Sequence, residues 1–329
     1  MKKCCFIIPY FGKLPNYFPL FLKTCKWNTD FNWLVFTDDK QELDYPENVF
    51  VIYMTFENLR QLVNSKFDFQ VSLATPYKLC DFKPAYGYIF EEYLKDYKFW
   101  GHCDIDTLMG HLSNFITDEM LDNYDKIFCL GHLILYKNTF SNNRCFMSKY
   151  KGEWLYKDVF SCNNICFFDE ESKDENNINQ IFIDQGKSVF MKDLSLNITK
   201  LSTNFLRTEY VGRSNDYPDG FRRDLNENVL YLWDNGNVCR LHLNNGRLCR
   251  DEFAYIHLQK RKMKYSHSIL ACDRIKIIPH SFCPLEVDDI TVENFNSLEK
   301  TANYCTKLNY NCIRLKRRIV RKLQSLVRP

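Results

Sequence analysis

The chain has 329 residues, 45% hydrophobic and 16% aromatic, enough apolar side chain to bury a sizeable core and to exclude a disordered chain. Its formal charge of +3 hides an asymmetry: all 41 acidic residues precede residue 300, whereas 300–329 carry basic residues only. No stretch reaches the roughly 18 uninterrupted apolar residues of a membrane span, and the acidic body speaks against a nucleic-acid-binding protein.

Cys4–Phe11, Asn32–Asp39 and Asn48–Thr55 are compact apolar runs ending in polar loops. Continuous apolar strands of this kind suit a parallel sheet covered on both faces. The first run is read as a strand and not a signal peptide, because Pro9 interrupts it, Lys13 follows and no small-residue cleavage site appears. Helix-like segments, Tyr17–Cys25 and Phe56–Ser65, fill the intervals. The alternation predicts an α/β unit whose ligands bind beyond the carboxyl ends of its strands.

After Pro84, Tyr86, Ile89, Phe90, Tyr93 and Leu94 recur at helical spacing and lead into the strand "KFWGHCD". Further strands are expected over Lys126–Tyr136 and in "NICFFDE", which ends on Asp169 and Glu170. Beyond Asn228 the texture changes to hairpins, with turn signals at Asp234-Asn235-Gly236 and Asn244-Asn245-Gly246. "FAYIHLQKRK" and "IKIIPHSF" add two strands, and Thr291 is expected to cap a helix beginning "VENFNSLEKTANY". With no repeat or low-complexity linker, the economical division is one domain, 1–285, and a basic helical tail, 286–329. The fifteen cysteines are scattered without zinc-site spacing, as expected of reduced thiols in a cytoplasmic protein.

Asp104 and Asp106 form the chain's single D-x-D, at the carboxyl end of a strand. Two hard oxygen ligands one residue apart can reach a divalent ion while water and a diphosphate fill its other positions. The plainer reading is a pair of solvated loop carboxylates. His257 ends an apolar strand and precedes Lys260, Arg261 and Lys262, groups that neutralise phosphate oxygens. Lys78, Asp81 and Lys83 form a third polar cluster, which an exposed helix face with an i, i+3 ion pair would also explain.

Taken together, "PYKLCDFKPAYG", "FWGHCDID", "FDE" and "HLQKRKM", in that order, resemble the bacterial GT-A glycosyltransferases of capsule and O-antigen polysaccharide biosynthesis, over about Phe6–Pro284. The resemblance implies a GT-A, Rossmann-like mixed sheet flanked by helices, with a nucleotide-binding half at about 1–110 and an acceptor-binding half at about 111–285. It implies transfer of a sugar from a nucleotide-sugar, UDP-hexose favoured, with Mn²⁺ or Mg²⁺, to a hydroxyl of a lipid-linked glycan. Carried over by position, Asp106 would hold the metal, Asp104 would contact the ribose or the metal through water, His257 would complete metal or diphosphate binding, and Lys260 and Arg261 would hold the diphosphate. Pro9, Tyr10, Phe11, Thr37 and Asp38 would form the nucleoside pocket, and Lys78, Asp81 and Lys83 would face the nucleotide or donor sugar. The pattern departs at His111, where related chains carry an aspartate.

An inverting transferase needs a carboxylate to take the acceptor's proton, and Asp169 and Glu170 are both candidates. A retaining transferase of the same fold is an alternative. So is a metal-dependent nucleotidyltransferase, although "PYFGKLPNYF" offers only Gly12 toward a phosphate loop. In residues 313–328, a helical projection gathers Ile313, Leu315, Ile319, Val320, Leu323, Leu326 and Val327 opposite Arg314, Arg317, Arg318, Arg321 and Lys322. Such a helix can lie in an anionic interface, placing the protein peripherally on the inner face of the plasma membrane; alternatively the stripe docks on the domain or a partner.

Overall fold

The computed structural model describes residues 2–171, 175–198, 205–224, 228–259 and 261–301, with 308, 311–313, 315–316 and 318–319 of the tail. Its strands are β1 (Lys2–Pro9), β2 (Phe31–Thr37), β3 (Val49–Tyr53), β4 (Tyr97–Cys103), β5 (Thr107–Met109), β6 (Lys126–Ile127), β7 (Leu133–Lys137), β8 (Val189–Phe190) and β9 (Leu196–Asn197). They continue with β10 (Thr208–Tyr210), β11 (Phe221–Arg223), β12 (Val229–Asp234), β13 (Asn237–Asn244), β14 (Arg247–Phe253), β15 (Tyr255–His257), β16 (Arg274–Ile278) and β17 (Ser281–Pro284).

Among the described residues, the main sheet has seven strands in the order β3-β2-β1-β4-β7-β6-β8. β1 pairs in parallel with β2 and β4, and β4 pairs antiparallel with β7, so the sheet is mixed. Successive residues of β1 go to opposite faces: Cys4, Phe6 and Ile8 join one apolar cluster, Cys5 and Ile7 another. Both faces are covered, which accounts for the unbroken apolar runs. The helices Phe18–Lys26 and Phe56–Ser65 occupy the expected intervals.

A five-stranded sheet, β14-β13-β12-β16-β17, follows from the two hairpins and their neighbour. Each hairpin turn puts two successive residues at positive φ, Asn235 and Gly236, then Asn245 and Gly246. That is the requirement an Asn-Gly pair meets in a tight hairpin. A separate three-stranded sheet has the order β5-β15-β9, and Trp233 of β12 donates to the Met109 carbonyl of β5 at 3.0 Å. These are the joints that fix the loop between β4 and β5.

Four expectations need correction. Lys126–Tyr136 is two short strands, β6 and β7, paired antiparallel and separated by a loop in which Phe128 has φ +71°. "NICFFDE" is not a strand: the Asp81 carboxylate takes the backbone N–H groups of Cys166 and Phe168, a role that sheet carbonyls would otherwise fill. The helical segment after Pro84 is short, Tyr86–Ile89 and then a 3₁₀ turn, Glu91–Tyr93. Thr291 does cap a helix, through a reciprocal exchange with Asn294, but that helix runs only Val292–Phe295. In the tail, Leu308, Leu315 and Ile319 are exposed; Arg314, Arg317, Val320 and residues 321–329 lie outside the described residues.

Candidate metal and catalytic centre

β4 is buried from Phe99 to Cys103 between β1 and β7 and releases the chain at Asp104. The Asp104 N–H donates to the His132 carbonyl at 3.0 Å, and the Thr107 hydroxyl donates to the Asp104 carbonyl at 2.6 Å. Ile105, between the two aspartates, is 7% exposed and joins the apolar cluster that includes Phe6 and Ile8. An apolar anchor between two carboxylates on opposite sides of it is what the D-x-D spacing provides. β5 then pairs with β15, placing His257 opposite Thr107, while the Leu258 N–H donates to the Asp106 carbonyl at 2.8 Å.

The result is a compact cluster. His257 Nε2 stands 3.4 Å from Asp106 Oδ1 and 3.8 Å from Asp104 Oδ2, and one donor atom from each residue falls within 4.8 Å of the others. Two carboxylate oxygens and an imidazole nitrogen fit Mn²⁺, and the carboxylates fit Mg²⁺. The donor set therefore suits the ion the resemblance implies.

Lys83 opens a 3₁₀ turn, Lys83–Ala85, and aims its ammonium into this centre. Nζ donates to Asp104 Oδ1 at 2.9 Å and to the Gly131 carbonyl at 2.7 Å, and lies 3.0 Å from Asp169 Oδ2. Burial opposes the charge, but Asp104 and Asp169 outweigh it and hold the ammonium well above its usual range. Asp169 is itself buried. Burial raises its carboxyl, Lys83 opposes that, and Glu170 and Asp104 add to the rise, bringing it to about 7. Of the two candidate bases, Asp169 is thus the one tied into the centre. Glu170 is half-buried beside it.

Gly131 and His132 are site residues that sequence reasoning missed. A Cβ on Gly131 would lie 2.4 Å from Asp169 Oδ2, so only glycine lets the backbone pass. His132 packs its ring against His257, centroids 4.3 Å apart, and shares a 2.7 Å hydrogen bond with the Tyr255 hydroxyl. Burial holds the His132 imidazole well below its usual range, so it stays neutral beside the cluster. The available signal was a Gly-His pair interrupting an apolar run.

Lys78 and Asp81 do not reach this centre. They are buried as an ion pair of 2.8 Å, and Lys78 also donates to the Val159 and Asn164 carbonyls. Together they clamp the segment that leads to Asp169. Arg261 is 2% exposed and stacks over Phe205, an inward position for a group expected to hold diphosphate. Lys260 lies outside the described residues. At the carboxyl ends of β1 and β2, Pro9 and Tyr10 are half-buried, Phe11 and Thr37 are buried, and Asp38 accepts the Gly12 N–H at 2.7 Å. A cleft of about 540 Å³ opens there, lined by Gly12, Lys13, Asp38, Asp39 and Gln41. Burial raises the Tyr10 phenol and Asp106 adds to the effect, which ties this rim electrostatically to the metal cluster.

A family model described as "Family of unknown function (DUF6625)" matches residues 6–286. The chain belongs to the DUF6625 family. No curated protein matches it. Among solved structures, this DUF6625 chain is similar to the galactosyltransferase LgtC in complex with donor and acceptor sugar analogs. The identity is 12% over 59% of this chain and 75% of that one, with a TM-score of 0.32. It is also similar to mouse xyloside xylosyltransferase 1 in its apo form, at 9% identity over 60% of this chain and 88% of that one, with a TM-score of 0.35. These superpositions are loose, and the functional reading of the DUF6625 chain rests on the geometry of its own centre.

Proposed function

We propose that the protein is a metal-dependent glycosyltransferase that moves a hexosyl group from a nucleotide-sugar, UDP-linked in preference to GDP-linked, to a hydroxyl of a glycan acceptor with inversion. The observation that carries this reading is the Lys83 ammonium between Asp104 of the carboxylate-imidazole cluster and the buried Asp169. It links a site suited to a divalent cation and diphosphate to one suited to a base.

In this reading the cleft at the ends of β1 and β2 takes the nucleoside. Asp104, Asp106 and His257 would hold Mn²⁺ or Mg²⁺, which when bound neutralises the charge developing on the departing diphosphate. Asp169 accepts the proton from the acceptor hydroxyl at Oδ2 or its partner oxygen as that hydroxyl attacks the anomeric carbon. A carboxylate poised near neutrality suits that task better than one fully ionised in water. Lys83 favours the ionised form of Asp169 beforehand and orients it through the Gly131 carbonyl. Product anomeric configuration, read by NMR, tests the inverting step: inversion supports it, and retention removes Asp169 as the base.

The resemblance to capsule and O-antigen enzymes favours a lipid-linked acceptor, and the basic tail fits a protein lying on the anionic inner leaflet. Of the described residues of the apolar stripe, Leu315 and Ile319 are exposed and Ile313 is half-buried. Liposome flotation of the full chain and of one ending at Asn309 tests the membrane reading; equal flotation would remove the tail's role.

A further inference from the structure

The segment leading to Asp169 carries two cysteines with their sulfurs in contact. Cys162 follows the helix Leu155–Ser161, and its Sγ lies 3.4 Å from Sγ of Cys166. Both residues are partly open to solvent and both are free thiols. Cys4, Cys25 and Cys239, in contrast, are buried inside apolar clusters. We propose that Cys162 and Cys166 are an oxidisable dithiol that closes to an intrachain disulfide when a hydroperoxide reaches it.

The surroundings of the pair separate the roles of the two sulfurs. Lys78 Nζ lies 3.8 Å from Cys162 Sγ, a cation beside the sulfur that would carry negative charge during attack. Burial and the hydrogen bond shared with Cys162 push the Cys166 thiol up to about 12, so it enters as the second, protonated partner. The Cys162 sulfur attacks one peroxide oxygen; an S–O bond forms, the O–O bond breaks and water leaves, giving a sulfenic acid. The Cys166 sulfur then attacks the Cys162 sulfur; the S–S bond forms, the S–O bond breaks, and the departing hydroxide leaves as water with the Cys166 proton. Two thiols lose two electrons and two protons, and hydrogen peroxide becomes two waters. The sulfurs need only close from 3.4 Å to the roughly 2.05 Å of a disulfide.

The pair is placed to matter. The Cys166 N–H is held by Asp81, as is the Phe168 N–H, and Asp169 follows directly. Closing the five-residue loop at Cys166 therefore acts on the backbone that carries Asp169.

The test uses the full-length protein, hydrogen peroxide, alkylation of remaining thiols and peptide mass spectrometry. The peptide spanning Cys162 and Cys166 is expected to lose two hydrogens, to escape alkylation, and to regain both thiols with dithiothreitol. Cys166→Ser should leave a Cys162 sulfenic acid that dimedone captures, and Cys162→Ser should leave Cys166 alkylated. Alkylation of both cysteines in the peroxide-treated wild type, or conversion of Cys162 to sulfinic acid with Cys166 still free, would overturn the proposal. None of these readouts depends on transferase activity.

Discussion

Lys83 and Asp169 come from segments 86 positions apart, yet their charged groups meet at 3.0 Å in a buried centre, with Asp104 on the other side of the same ammonium. Removing one member of a buried ionic group leaves the others uncompensated, which costs more than the group's net worth. Lys83→Met is therefore expected to destabilise the fold by about 3 kcal/mol and to lower transfer by about 100-fold or more. Denaturant unfolding and initial rates read the two effects. Pairing it with Asp169→Asn should cost much less than the sum of the single changes.

As the proposed base, Asp169 is expected to set the pH dependence of transfer. Burial raises the carboxyl to about 7, so transfer is expected to rise with pH through about 7 and level off above it. The stability effect runs the other way. A carboxyl held above its unfolded value of about 3.9 adds stability that is fully present below about pH 4 and lost as pH rises through about 7. Asp169→Asn should remove that decline from a Tm-versus-pH series; an unchanged profile would assign it to another group.

Gly131 has no room for a side chain against Asp169. Gly131→Ala should displace the carboxylate, lowering kcat by about 100-fold at a stability cost of about 1–3 kcal/mol. The expected pattern is a fall in kcat with little change in donor KM, because the cleft at β1 and β2 is untouched.

His132 is expected to act through His257 and not on substrate. Losing its ring packing and its bond to Tyr255 should let His257 reorient, and a partner of this kind is typically worth about 10- to 100-fold in metal affinity. His132→Leu should weaken Mn²⁺ binding by that factor in calorimetry or EPR. Undiminished affinity would reduce His132 to core packing.

Much of this architecture was legible in the sequence, for identifiable reasons. Buried parallel strands need unbroken apolar runs, and Asn-Gly turns need positive φ, so β1 to β3 and the β12–β14 hairpins could be read directly. Asp104, Asp106 and His257 were legible because strand ends present ligand groups. The sequence could not reveal that the i, i+3 pair Lys78 and Asp81 faces inward, since spacing is the same for a buried pair and an exposed one. Nor could it show that a carboxylate, not a sheet, holds "NICFFDE", or that Phe128 breaks the run concealing Gly131 and His132. Those facts depend on contacts between distant segments.

The central claim is that Asp104, Asp106 and His257 join a divalent cation to a nucleotide-sugar. The direct measurement is a thermal-shift series with UDP- and GDP-sugars, with and without Mn²⁺, on the wild type and on Asp106→Ala. The expected result is stabilisation of the wild type by a UDP-sugar only when Mn²⁺ is present, and its loss in Asp106→Ala. No stabilisation by any nucleotide-sugar, or an equal response in the variant, would contradict the account.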